Sequence, residues 1–206
     1  MILGVLMARL NSTRLPAKAL LAFGNSTLVG YVFDILKASR VDKAVLCTPD
    51  RFLNAFVDGD CCVWSGERDI IAELLSAADI YHADHIVRVT ADCPFLTCEA
   101  INTAIEEHIK SGSEYTYNGN DIIGPDTGDG QNVEIVSLEA LKKLDRLSGN
   151  REHLISENIL NSHYIKPDGD FFSVNTLEEY IKAYLLMGGL RNGSTSERRR
   201  SSVGKP

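Results

Sequence analysis

Three cations lie within ten residues of one another, directly after the apolar run Ile2–Met7. They are Arg9, Arg14 and Lys18, in a stretch (residues 8–18) that reads ARLNSTRLPAK. The apolar run is predicted to be a buried strand, and in an open α/β sheet ligands bind beyond the carboxyl ends of the strands. Cations beside hydroxyl and amide groups suit a polyphosphate. We therefore interpret the stretch as a nucleotide-binding loop rather than a solvated basic loop.

A carboxylate follows another predicted strand, residues 85–90. Asp92 comes two residues after the end of that strand and two residues before Pro94. Magnesium keeps several waters and takes one or two protein carboxylates together with phosphate oxygens, so a carboxylate facing a triphosphate fits it. A helix N-cap or a turn explains the same residue equally well.

Several other motifs are absent or weak. The sequence contains neither GxxxxGK[ST] nor GxGxxG, so a P-loop ATPase and Rossmann-type NAD binding both lose support. Two DxD matches, at 58–60 and 168–170, resemble the metal motif of glycosyltransferases, but each is better explained as a turn before a strand. His82 and His85 have a ligand-like spacing, yet we expect surface or packing histidines there.

Composition and charge limit the class of protein. The chain has 206 residues with 44% hydrophobic and 24% charged residues, which is typical of a soluble globular domain. We expect no membrane span and no signal peptide, and hence a cytoplasmic location. The five cysteines form no CxxC pair, which favours reduced thiols over disulfides or zinc.

The net charge of −7 is unevenly distributed, because residues 191–206 carry +4 and the remainder −11. An acidic body argues against nucleic acid as a partner. We expect one domain over residues 1–187, followed by a disordered tail or expression remnant over 188–206.

Alternating strand and helix patterns predict an α/β fold with a mostly parallel sheet covered on both faces. The predicted strands are 2–7, 43–48, 61–64, 85–90, 114–118, 132–137 and 171–174. The predicted helices are 27–39, 69–81, 98–110, 138–147, 151–161 and 177–187. The Gly- and Asp-rich segment 119–130 is predicted to be a mobile loop.

The opening loop, with the pattern AR-x-x-S-x-RLP-x-K, resembles the signature of the sugar-acid cytidylyltransferases. This family includes the acylneuraminate and 3-deoxy-manno-octulosonate enzymes, and the likeness is greatest to its spore-coat polysaccharide group. Further motifs resemble the family in the same order over residues 1–185. They are WSGERD (64–69), VRVTADCP (87–94), YN (117–118), DGQNVE (129–134), REH (151–153) and SVNT-x-E (173–178).

The resemblance implies a three-layer, Rossmann-like nucleotide-diphospho-sugar transferase fold and a reaction in which CTP and a sugar acid give a CMP-sugar and pyrophosphate. It implies a role in surface glycan synthesis, with Mg²⁺ as cofactor and a possible homodimer. Catalytic roles fall on Arg14, Lys18 and Asp92. Nucleotide binding is implied for Ala8, Arg9, Ser12, Ser65 and Thr90. Substrate binding is implied for Arg88, Asn118, Glu134, Arg151 and His153, and metal binding for Asp92 and Asn175.

The sequence departs from the family pattern at three of these motif positions. Asn175 and Asn132 stand where the family usually has Asp, and Ala17 stands where it usually has Gly. Asn175 offers a neutral oxygen in place of a second carboxylate. These departures leave a degenerate nucleotide-binding homologue without turnover as one alternative to the cytidylyltransferase. The DxD matches leave a second alternative, a DxD-type glycosyltransferase.

Overall fold

The structure is a computed structural model, and it describes residues 1–63, 69–119, 130–146, 161–166, 169 and 171–187. In chain order, the strands are β1 (Ile2–Met7), β2 (Ala22–Phe23), β3 (Ser26–Thr27), β4 (Lys43–Thr48), β5 (Asp60–Val63), β6 (His85–Thr90), β7 (Tyr115–Tyr117), β8 (Glu134–Ser137) and β9 (Ser162–Tyr164). The helices are α1 (Leu28–Lys37), α2 (Ile70–Tyr81), α3 (Cys98–Ser111), α4 (Leu138–Asp145) and α5 (177–187). Short 3-10 helices occupy Lys18–Leu20 and Arg51–Phe56.

Within the described residues, the main sheet has seven strands in the order β5-β4-β1-β6-β8-β7-β9. The first four are parallel, and β8 runs antiparallel to both of its neighbours. Met7 pairs with Cys47 on one side and with Thr90 on the other. The carboxyl ends of β1, β4 and β6 therefore lie side by side, which is where ligands bind in such sheets.

Alternate residues of the central strands face opposite layers of helices. Leu3 and Val5 pack in one core with α2 and α4, and Leu6 packs in the other with α1 and α3. Gly4 also faces α1, because a Cβ placed there would lie 2.9 Å from Leu36 Cδ1. These cores make the three-layer, mostly parallel α/β architecture that was predicted.

Side-chain caps explain where the helices begin. Thr27, Asp69, Thr97 and Ser137 each accept a hydrogen bond from the backbone N–H three residues on, which satisfies one of the free donors of the first turn. Most predicted helices and strands are confirmed to within one to three residues at their ends. None of the helices in the described ranges is long and apolar enough to cross a membrane.

Three features of the fold differ from prediction. The predicted strand 171–174 is wrong, because that segment joins no sheet and is held by a backbone hydrogen bond from Val174 to Asp92. Its apolar residues instead pack against Phe23 and Leu28 beneath α5. The β2–β3 hairpin and β9 were not predicted, since two- and three-residue strands are too short to show a period in sequence. The predicted helix 151–161 lies outside the described residues except for its final position. The predicted loop 119–130 also lies outside them, except for its two end residues.

Candidate functional site

The loop after β1 is fixed by backbone hydrogen bonds at both ends. Ala8 donates to the carbonyl of Cys47, and Leu10 donates to the carboxylate of Asp50, with 2.7 Å between Leu10 N and Asp50 Oδ2. The chain then turns back, so that Ala17 N lies 2.9 Å from Leu10 O. Because Asp50 follows β4, the loop is attached to the neighbouring strand as well as to its own.

The side chains of this loop divide into two groups. Arg9 and Arg14 are both exposed in the loop beyond the carboxyl end of β1. Ser12 and Ala8 are half-buried. Lys18 differs from the two arginines, because it points into the protein and only 15% of its side chain is exposed.

The ammonium group of Lys18 lies among three oxygen atoms from two other segments. Its Nζ is 2.6 Å from Asp92 Oδ2, 2.9 Å from the carbonyl oxygen of Val174 and 3.0 Å from Asn175 Oδ1. The structure thus brings together three predicted site residues that are 74 and 157 positions apart in sequence. We call Asp92 Oδ2, Val174 O and Asn175 Oδ1 the oxygen cage.

The Asp92 carboxylate is ionised. Burial pushes the pKa of Asp92 upward, but the charge and hydrogen bond of Lys18, with a further hydrogen bond from Thr90, outweigh it and leave the pKa below its usual value. Thr90 is itself a predicted nucleotide-binding residue, and its Oγ1 also lies 3.4 Å from Cys93 Sγ. Asp92 is therefore an anion held in place at the end of β6, which favours a site residue over a simple helix cap.

The segment carrying Val174 and Asn175 is held in place by its own contacts. Val174 N donates to Asp92 O at 2.8 Å, and the backbone N–H groups of Asn175 and Thr176 both donate to one carboxylate oxygen of Glu179. Glu179 N in turn donates to Thr176 Oγ1, which completes a capping box at the start of α5. The T-x-x-E spacing at 176–179 was a readable signal for this box, and neither Glu179 nor Asp50 was predicted.

Gly130 brings a second segment against the same region. Its φ is +101°, and a Cβ there would lie 2.2 Å from the backbone of Phe172. Only glycine allows this backbone conformation together with so close an approach. Residues 130–131 thereby pack beside the segment that carries the cage.

Arg88 and Glu134, both predicted to bind substrate, form an ion pair with each other. They are opposite one another in the β6–β8 ladder, and their side chains are only 14% and 17% exposed. The Arg88 Nε also donates to Met7 Sδ at 3.2 Å. Much of the charge that Arg88 could offer to a substrate carboxylate is thus already balanced by Glu134.

Asn118, another predicted substrate residue, is buried and holds the chain just before β8. Its Oδ1 accepts from Val133 N at 2.6 Å, and its Nδ2 donates to Gln131 O at 3.0 Å. Both ends of the amide therefore position the backbone of residues 131–133. The predicted residues Ser65, Arg151 and His153 lie outside the described residues.

Two of the weaker motifs, the DxD at 58–60 and the pair of histidines, take the structural roles expected of them. Asp58 pairs with Lys37 and Asp60 with Lys43, so lysines balance both carboxylates of the DxD at 58–60, which lies where a bend leads into β5. His82 ends α2 in a left-handed conformation, while His85 contacts His108 instead. Asp168 and Asp170 lie outside the described residues.

The five cysteines form no disulfide with one another in the structure. Among the residues that the structure describes, no cluster of three or more His, Cys, Asp or Glu side chains could hold a metal ion. Any divalent cation at the oxygen cage would therefore depend on one carboxylate and neutral oxygens.

The family assignment follows from comparison with known proteins. Residues 3–164 match the family model described as cytidylyltransferase, so the chain belongs to the cytidylyltransferase family, whose members are nucleotidyltransferases.

Individual relatives are similar to this chain over different shares of its length. The uncharacterized protein MJ1063 of Methanocaldococcus jannaschii is 27% identical over 89% of this chain and 82% of its own length. The spore coat polysaccharide biosynthesis protein SpsF of Bacillus subtilis is 28% identical, over 56% of this chain and 53% of its own. A 3-deoxy-manno-octulosonate cytidylyltransferase of Trichlorobacter lovleyi is 32% identical, over 51% and 44%. The chain thus spans about half the length of the latter two.

Solved structures confirm the fold. A cytidylyltransferase from Leptospira borgpetersenii superposes with a TM-score of 0.74 at 23% identity, covering 87% of this chain and 83% of that one. A CMP:2-keto-3-deoxy-manno-octonic acid synthetase complexed with CTP has a TM-score of 0.72 at 14% identity, covering 91% and 98%. These identities are low, and the likeness concerns the fold alone.

Proposed function

We propose that this protein transfers CMP from CTP to a sugar acid in a Mg²⁺-dependent reaction that releases pyrophosphate. The observation that carries the proposal is the convergence of Lys18 and Asp92 at the carboxyl edge of the sheet, 2.6 Å apart, beside a loop with two exposed arginines. A cation cluster next to an ionised carboxylate suits a triphosphate with a metal ion.

In this proposal the protein positions the reactants and balances charge. Arg9, Arg14 and Lys18 bind the triphosphate, and the backbone and side chain of Ser12 contribute further donors. The sugar hydroxyl attacks the α-phosphorus in line, and pyrophosphate leaves on the opposite side. Transfer of this kind needs orientation and neutralisation of negative charge more than covalent participation by the protein.

The oxygen cage has suitable chemistry for magnesium. Magnesium takes hard oxygen ligands, typically one or two carboxylates with phosphate oxygens and waters, and Asp92 and Asn175 would hold the ion. When bound, Mg²⁺ would neutralise charge on the phosphates and lower the pKa of the attacking hydroxyl. Asn175 contributes no charge, so Asp92 supplies the single formal negative charge of this ligand set.

The acceptor is proposed to carry a carboxylate, which needs a cationic partner. Because Arg88 is already paired with Glu134, we assign this role to Arg151, with His153 beside it in sequence. Two names among the relatives support the choice of acceptor, since one is a 3-deoxy-manno-octulosonate cytidylyltransferase and another a protein of spore coat polysaccharide biosynthesis. They also support a role in surface glycan synthesis.

The test is pyrophosphate release from CTP and Mg²⁺ with a panel of sugar acids, among them 3-deoxy-octulosonate and nonulosonate types. We expect release with one acid and not with its neutral analogue. Arg14→Ala and Lys18→Ala should each lower kcat/KM by about 100-fold or more. The control is Arg40→Ala, which removes an exposed arginine outside this loop and should leave kcat/KM unchanged. Wild-type turnover in both loop variants would contradict the proposal.

A degenerate binding protein is the second candidate, and the replacement of a family Asp by Asn175 favours it. The two are separated by calorimetry with CTP and by the Asn175→Asp variant. CTP binding without turnover, followed by turnover in Asn175→Asp, would identify a degenerate homologue. Absence of CTP binding would contradict both candidates. The cytoplasmic location and the homodimer stay predictions, and light scattering of the purified protein tests the dimer.

A further inference from the structure

The Lys18 ammonium group satisfies all its hydrogen-bonding capacity inside the oxygen cage. An ammonium has three N–H donors, and the three cage oxygens lie 2.6, 2.9 and 3.0 Å from Lys18 Nζ. The three acceptor atoms surround Lys18 Nζ. Asp92 reaches it from the end of β6, and Val174 and Asn175 reach it from the segment before α5. This is the arrangement of oxygen ligands around a cation, with an ammonium in the central position.

We propose that Lys18 acts as a built-in cation that closes the oxygen cage to divalent metal until a nucleotide draws it out. The inference rests on the proposed function, because the nucleotide is the ligand that relocates Lys18. Metal and nucleotide binding would then be coupled, and each would strengthen the other by the same factor.

Charge balance supports this role. Asp92 contributes one negative charge to the cage and Asn175 contributes none, so Lys18 neutralises it completely. A divalent ion sharing these oxygens would lie within a few ångströms of the ammonium, and the two cations would repel each other strongly in a site that is mostly shielded from water. The ion therefore cannot be held by the cage while Lys18 remains there.

The segment that carries two of the acceptors is held independently of Lys18, whereas the donor can move. The backbone N–H groups of Asn175 and Val174 donate to Glu179 and to the Asp92 carbonyl, so this backbone stays in place when the ammonium leaves. Lys18 lies on a flexible four-carbon stem at the start of a 3-10 turn, in the same loop as Arg9 and Arg14. A triphosphate bound by those arginines would offer Lys18 several anionic oxygens, and its phosphates would complete the metal coordination.

The test measures Mn²⁺ binding to the full chain by electron paramagnetic resonance, in the absence of nucleotide. Lys18→Met removes the charge and keeps the length of the stem. We expect this variant to bind Mn²⁺ about tenfold or more tightly than the wild type, and the gain to vanish in Lys18→Met/Asp92→Asn. Lys37→Met is the matched control, because Lys37 donates to Asp58 at the same 2.6 Å outside the site and should leave Mn²⁺ binding unchanged. Equal Mn²⁺ affinity in Lys18→Met and the wild type would overturn the proposal.

A second comparison avoids variants at Lys18, in case Lys18→Met does not fold. Without nucleotide, the isosteric Asp92→Asn variant and the wild type should bind Mn²⁺ equally weakly, since Lys18 closes the cage in the wild type. A nucleotide-free Mn²⁺ site in the wild type that Asp92→Asn removes would contradict the proposal. Neither comparison requires CTP binding, so failure of the proposed function would appear separately, as absence of CTP binding with the Mn²⁺ results intact.

Discussion

Asp50 accepts a hydrogen bond from the backbone N–H of Leu10, with 2.7 Å between the Asp50 Oδ2 and Leu10 N atoms. Asp50 is itself held by Thr48, whose Oγ1 accepts from Asp50 N at 3.0 Å. The end of β4 therefore fixes the shape of the cationic loop that follows β1. This contact links two loops that are 40 residues apart in sequence.

Removing this contact should loosen the loop. Asp50→Ala leaves the Leu10 N–H without its acceptor, and we expect the free energy of unfolding to fall by about 1–3 kcal/mol and the KM for CTP to rise. Asp50→Asn keeps an oxygen at the same place and should lose much less. Denaturant unfolding and initial rates measure the two effects. Equal behaviour of the two variants would show that the hydrogen bond does not order the loop.

Ala17 has a left-handed backbone, with φ 56° and ψ 24°. Because a Cβ is unfavourable in this conformation, Ala17→Gly should raise the free energy of unfolding by about 0.5–1 kcal/mol. Ala38→Gly is the matched control, since Ala38 has a right-handed backbone and should lose stability on the same exchange. Thermal unfolding of both variants measures the difference, and destabilisation of both would contradict the strain at Ala17.

The Arg88–Glu134 pair joins β6 to β8 in a largely buried position. Glu134→Leu should lower the free energy of unfolding by about 2–3 kcal/mol, because it leaves the Arg88 charge buried without its partner. Arg88→Met/Glu134→Leu removes both charges and should recover most of that loss. A double-mutant cycle in urea measures the coupling, and additive effects would show that the two side chains do not depend on each other.

His108 should make stability depend on pH. Burial, together with the charges of the neighbouring His85 and His163, lowers the pKa of His108 to about 4. In the unfolded chain His108 has its ordinary pKa. As the pH falls, the unfolded state therefore binds a proton before the folded state does. Stability should therefore drop by about 1–2 kcal/mol between about pH 7 and pH 5. His108→Gln should show a flatter dependence over that range, and an unchanged slope would contradict the assignment.

Cys62 should be the most reactive thiol. A hydrogen bond from Cys47, its partner in the β4–β5 ladder, lowers the pKa of Cys62 to about 7, helped by Tyr81 and opposed by burial. Cys47 and Cys93 are both buried. The hydrogen bond to Cys62 is the main cause that raises the pKa of Cys47, and burial is the main cause that raises the pKa of Cys93. We expect iodoacetamide at neutral pH to modify Cys62 first, as read by mass spectrometry, and Cys47→Ala to slow that reaction. Faster labelling of Cys93 would contradict this order.

The sequence alone located the main strands and helices and the cationic loop. Apolar periodicity located the central strands and the main helices, because each buries one defined face and therefore shows a period of two or 3.6 residues or a continuous apolar run. The cationic loop was readable because three cations clustered at a strand end have few structural explanations, whereas Asp92 taken alone could equally have been a helix cap or a turn residue. Short elements such as β9 carry too few residues to show a period, and the apolar run 171–174 was mistaken for a strand because packing beneath a helix produces the same pattern.

Tertiary structure decided the partners. No local rule predicts that Arg88 is paired with Glu134, because the two face each other only through the β6–β8 register. Nor could spacing show that Lys18 lies among oxygens from Asp92, Val174 and Asn175, since those segments meet only when the sheet and α5 are assembled. Sequence specifies which groups are charged and where strands end, whereas distances between remote groups depend on how the layers pack.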